Sequence, residues 1–182
     1  MKRNTAILFS LVASSLLADQ PDKPPASAPT ADRVGFPTSY AEKFQVLRIV
    51  NKPEEHKVVT VYGNAPAASV TNALQLPFPY GSVIVMETAR ALQDTQGKPL
   101  LDDKGNVRKE QVTGLHVMRR ERDFGEAYDT NRAGEWEYVE YKPDGSYLTP
   151  PQKSANCAEC HVKAGPKRDF VYRGAVPVET RK

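Results

Sequence analysis

The chain has 182 residues, 40% of them hydrophobic and 26% charged, with a formal net charge of +3. That is the make-up of one globular domain with its own core, and it excludes wholesale disorder. The charge is too mild for a nucleic-acid binder and falls to +1 if Lys2 and Arg3 leave with a leader segment. The two cysteines, Cys157 and Cys160, are too few for a disulfide framework.

In chain order, Met1-Lys2-Arg3-Asn4-Thr5 is a basic head, and Ala6 to Leu17 is an uncharged, mostly apolar run of 12 residues. A membrane span needs about 20, so residues 1–18 read as a signal peptide and no stable membrane span is expected. Export to a bacterial periplasm follows from that reading. Residues 19–35 carry prolines at 21, 24, 25 and 29 and are expected to be an extended linker. The folded domain is expected over 36–182.

Thr38-Ser39 can cap a helix running to about Val50, with Tyr40, Phe44 and Leu47 as its buried stripe. Val58 to Tyr62 reads as a strand stopped by Gly63-Asn64. Asn64 can then cap a short second helix, with Pro66 in its first turn, ending near Leu74. Ser82–Glu87, Leu115–Glu121 and Glu135–Tyr141 read as strands. In the second of these, Leu115, Val117 and Arg119 alternate with His116, Met118 and Arg120. Gln93 to Glu110 is polar and glycine-punctuated, an exposed loop or hairpin tip. No crossover helices separate the strands. The expected fold is therefore α+β, mainly an antiparallel sheet, with an N-terminal helix, a short second helix and a short helix near the C-terminus.

That last helix carries Cys157-Ala158-Glu159-Cys160-His161, the CxxCH spacing of c-type haem attachment. Residues three apart lie on one face of a helical turn, so both thiols can reach the two vinyl groups. The adjacent His161 then supplies the proximal iron ligand. Asn156 can cap the turn, and Gly165-Pro166 can end it. A redox dithiol of this spacing normally opens a helix in a βαβ unit, and none is visible. Neither His56 nor His116 has zinc-like spacing to the pair. The implied cofactor is one covalently attached haem c. For the sixth iron position Met86, Met118, His56 and His116 are the candidates, and each has an ordinary reading as sheet, core or loop residue. No obvious distal ligand means an open or merely capped iron, suited to binding a small molecule.

The layout resembles the cytochrome P-460 / cytochrome c′-β family. The matching pieces are Tyr40-Ala41-Glu42-Lys43-Phe44, Val61-Tyr62-Gly63-Asn64, Pro79-Tyr80-Gly81-Ser82-Val83-Ile84-Val85, and Cys157 to His161 followed by Asp169-Phe170-Val171-Tyr172. The resemblance implies two branches. One has a lysine cross-linked to the porphyrin and oxidises hydroxylamine. The other has five-coordinate haem capped by phenylalanines and binds nitric oxide. Met86 stands where many relatives have the lysine. The segment 145–156 holds no Asp or Glu for a distal carboxylate, and Gln152 is its nearest polar candidate.

Phe44 and Phe78 are the candidate apolar cap, completing a distal set with Met86 and Gln152. The expected function is a periplasmic c-type haem protein whose five-coordinate iron binds small nitrogen oxides such as nitric oxide. The alternatives are a hydroxylamine-oxidising enzyme and a six-coordinate electron-transfer cytochrome. As an enzyme it would be a haem oxidoreductase acting on hydroxylamine or nitric oxide. A redox partner protein and a homodimer are compatible with each of these readings.

Overall fold

Strands in succession with no long crossover helix between them favour antiparallel pairing of sequence neighbours, a meander. The computed structural model describes residues 27–172 and has that form. The strands are β1 (Gln45–Lys52), β2 (Lys57–Gly63), β3 (Val83–Ala91), β4 (Lys109–Arg120), β5 (Trp136–Tyr141) and β6 (Tyr147–Thr149). They form one sheet in the order β1-β2-β3-β4-β5-β6, antiparallel throughout. The expected signal peptide, residues 19–26 of the expected linker and the tail beyond Tyr172 lie outside the described residues.

The N-terminal helix is much shorter than its sequence pattern suggests. The helix α1 spans only Tyr40–Lys43, and the chain then enters β1. Ser39 sits at φ 56° and makes no side-chain cap, so little holds the helix start. Val46, Ile49 and Val50 are β-branched, and β1 gains a full ladder against β2. Tertiary pairing thus overrides a helical spacing of three aromatic and aliphatic residues.

Asn64 behaves as expected. Its side-chain oxygen accepts the Ala67 amide at 3.2 Å and starts the helix α2 (Ala65–Ala68). The same oxygen accepts the Val83 amide at 2.9 Å, and its amide group donates to the Gly81 carbonyl at 2.7 Å. One side chain therefore ties α2 to the start of β3. The helix stops at Ser69, and a 3-10 turn at Ala73–Gln75 occupies the rest of the expected span. The polar stretch after β3 is a projecting arm with two turns, in which Asp94 and Asp102 each accept two backbone amides.

The sheet has two covered faces. On the rear, Tyr62, Val85, Leu115, Val117, Val139 and Tyr141 pack beneath Val34, Phe36, Tyr40 and Phe44. Residues 27–35, expected as free linker, are part of this layer: Val34 is buried, Arg33 pairs with buried Glu137, and Asp32 accepts the Tyr141 hydroxyl at 2.6 Å. Polar side chains make this strap a folded element. On the front, Val61, Ile84, Met118 and Tyr138 pack with Phe78, Tyr128, Trp136 and Ala158. Ala158 belongs to the helix α3 (Ala155–Val162), which brings the cysteine pair onto this face.

Candidate functional site

Fully buried Ala158 seats α3 on the front core and leaves its neighbours at the edge of a cavity. Ser154, not Asn156, stands at the helix N-terminus, and Asn156 lies inside the helix facing the cavity. Ser154 is anchored rather than capping: its hydroxyl bonds to the Pro151 carbonyl at 2.6 Å and to Tyr128 at 2.8 Å. A cavity of about 480 Å³ opens between α3 and the sheet, within the range of cofactor sites. Cys157, Cys160 and His161 all line it. Cys157 is half-buried, and burial pushes its thiol up to about 11, so it stays protonated; Cys160 is exposed.

His161 is held on three sides. Its Nδ1 donates to the Phe170 carbonyl at 2.8 Å. Its ring lies over Tyr138 with centroids 4.6 Å apart, and Tyr172 meets it edge-on at 5.5 Å. Burial lowers its pKa and favours the neutral ring. A carbonyl on Nδ1 leaves the Nε2 lone pair for a metal. The Tyr138 hydroxyl is buried with no hydrogen-bond partner among the described residues, and burial raises its pKa well above the usual range. Two thiols one helical turn apart, a neutral imidazole with a free nitrogen and an apolar cavity fit a covalently held haem.

The opposite wall is the front face of the sheet. Register places Val61, Met86, His116, Glu140 and Thr149 side by side in one row across five strands. The row begins apolar and ends polar. His116 pairs with the Glu140 carboxylate, which also accepts the Thr149 hydroxyl. The His116 hydrogen bond holds Glu140 below the usual carboxylate range. Val59, Ile84 and Met118 complete the apolar part of the wall.

Met86, at 37% exposure, does line the cavity. The other three expected distal residues do not. Phe44 follows α1 onto the rear face of the sheet. Phe78 is in the core, edge-on to Trp136 at 5.6 Å, because its backbone is gripped from both sides by Asp169 and Arg120. Gln152 sits on an exposed 3-10 turn and donates to the Thr30 carbonyl. Lys109 points to the rear, where it pairs with Glu87, and Lys98 and Lys104 belong to the arm. Among the described residues no lysine lines this cavity.

Among the described residues the cavity's acid is Glu140, which lies outside the 145–156 segment where the family resemblance implies a distal carboxylate and this sequence has none. Tyr138 beneath His161 was also missed. The strict alternation of Glu135 to Tyr141 carried the signal, since it puts Tyr138 and Glu140 on one face. His56, an early candidate for iron, instead bonds to Gln93 beside the arm.

No protein of curated function matches the chain. The sequence model of the Cytochrome P460 family matches residues 37–173, which include the whole sheet and the CxxCH helix. The chain therefore belongs to the cytochrome P460 family and is a c-type haem protein.

Proposed function

We propose that Cys157 and Cys160 carry one haem c as thioethers, that His161 is its proximal iron ligand, and that a small nitrogen oxide such as nitric oxide binds on the open side. The observation that carries this reading is the set of three groups lining a single, mainly apolar cavity, with the His161 Nδ1 taken by the Phe170 carbonyl. A neutral diatomic gains little from charged neighbours, and valine, isoleucine and methionine side chains exclude water and competing anions. The signal-peptide reading places the protein in the periplasm, where such haem is attached.

Hydroxylamine oxidation is the second reading, and the His116–Glu140 pair favours it. That reaction releases protons with its electrons. A carboxylate held ionised by a neighbouring imidazole can accept them and pass them to exposed His116. Against it stands the thioether of Met86 in place of an amine.

The test is expression with a periplasmic haem-attachment system, followed by mass and absorption spectra. Haem retained after denaturation, a high-spin ferrous spectrum and a shift on adding nitric oxide are the expected results. A mature chain at apoprotein mass ends the proposal. A low-spin reduced spectrum that Met86→Ala converts to high-spin would make the protein an electron carrier. Steady turnover of hydroxylamine with an electron acceptor would promote the second reading.

A further inference from the structure

The turn after α3 is built in an unusual way. Asp169 and Phe170 are consecutive non-glycine residues at φ 48° and 60°. Left-handed backbone is costly for both, and it persists only where surroundings over-determine it. Here three parts of the fold do so. The Asp169 carboxylate is buried and accepts the Phe78 amide at 3.0 Å. Arg120 at the end of β4 places its Nε 3.5 Å from the same oxygen, donates to the Phe78 carbonyl, and pairs with Glu135 at 2.8 Å. Gly134, at φ 63°, lets the Phe170 ring approach, where a Cβ would come within 2.9 Å of it.

All this rigidity converges on one atom outside the cluster: the Phe170 carbonyl, which is the only hydrogen-bond partner of the His161 ring among the described residues. The buried carboxylate holds the Phe78 segment in the core, and the two left-handed residues turn the chain back towards α3. Together they also fix where one carbonyl oxygen stands.

We propose that Asp169 is a positioning residue for His161: anchored on the Phe78 amide and Arg120, it sets the Phe170 carbonyl on Nδ1, and so fixes the ring's tautomer, its orientation and its electron donation through Nε2. This rests on the reading that His161 ligates iron. A carbonyl partner that tightens on Nδ1–H makes the imidazole a stronger donor, and loss of such an outer partner typically costs about 10- to 100-fold in metal affinity or activity.

The test uses the full holoprotein. In the ferric, cyanide-ligated form, solvent exchange of the His161 Nδ1 proton is followed by NMR. In the ferrous form, the iron–histidine stretch is read by resonance Raman. Asp169→Gly keeps the left-handed backbone but loses the anchor, and should speed the exchange about tenfold or more and lower the stretch. Asp169→Asn keeps an acceptor for the Phe78 amide and should stay near wild type in both. A folded Asp169→Gly protein with wild-type exchange and stretch overturns the proposal.

A second measurement needs no variant. In the native wild-type protein, the Phe78 amide and the His161 Nδ1 proton should exchange through one opening, with the same denaturant dependence. Exchange of Nδ1 while the Phe78 amide stays protected overturns the proposal equally. Absence of any iron-shifted His161 signal would overturn the ligand assignment instead. The coupled exchange of the two protons does not depend on iron ligation and still decides the role of Asp169.

Discussion

The two faces of the sheet solve opposite problems. The rear face buries charge and closes over it. Glu87 is 3% exposed and is met by Lys109 and the Tyr40 hydroxyl, while Lys109 also donates to Tyr62 at 2.9 Å. Glu137 is satisfied by Arg33 and the Gly125 amide. The front face is more apolar, yet it stays open: α3 covers only part of it, and Met86 and His116 remain accessible across a cavity. A fully partnered buried network specifies packing and leaves no room. An apolar wall with one polar end leaves room and a direction in it. The same six strands thus carry a structural side and a chemical side, separated by one sheet thickness.

The largest effect that can break this comparison is on the chemical side alone. Replacing both Cys157 and Cys160 by serine should abolish covalent haem, seen as apoprotein mass after denaturation. The rear cluster should remain, because neither cysteine contributes to it. Next is Glu87→Ala, which strands Lys109 and the Tyr40 hydroxyl on the rear face. Breaking a buried pair by removing one partner costs about 3 kcal/mol or somewhat more. Urea unfolding should show that loss, while the haem spectrum keeps its position.

Glu140→Gln sharpens the comparison through pH. Glu140 is held below its ordinary value, so the folded chain keeps this group ionised to lower pH than the unfolded chain does. Its contribution to stability is complete above about pH 4.3 and fades as pH falls through the lower folded value. Melting curves of wild type should therefore decline more steeply below that point than those of Glu140→Gln. The smallest stability effect belongs to Met86→Ala. Its side chain is partly exposed at the cavity wall, so unfolding should shift by less than about 1 kcal/mol. Its effect should instead appear in the affinity for nitric oxide, measured by titration of the ferrous protein.

Particular elements show why some features were readable from the chain and others were not. Asn64 worked because a cap is local: side chain and amide are three residues apart. The strands β2 to β5 worked because alternation is local too. The helix ending at Lys43 instead of near Val50 failed because β1 owes its state to β2, which no window of residues 38–50 contains. Phe44 and Phe78 failed as a cap for the same kind of reason. An aromatic residue declares that it will be buried, not on which side of a sheet.

The order of residues by itself determined the antiparallel α+β class, four of the six strands, and the CxxCH turn with its two thiols on one face. Each depends on spacing within a few residues or on the lack of crossover helices between strands, which the chain carries directly. Tertiary structure alone decided what surrounds that turn. Glu140 and His116 meet through cross-strand register, 24 residues apart. Tyr138 reaches His161 because β5 runs under α3. The carbonyl on Nδ1 is held by Asp169 and Arg120, which are separated by all of β5, β6 and α3. Long-range contacts of this kind follow from register and packing of the whole sheet, and a slip of one residue in a strand's register would turn its side chains, such as Tyr138 and Glu140 on β5, to the other face.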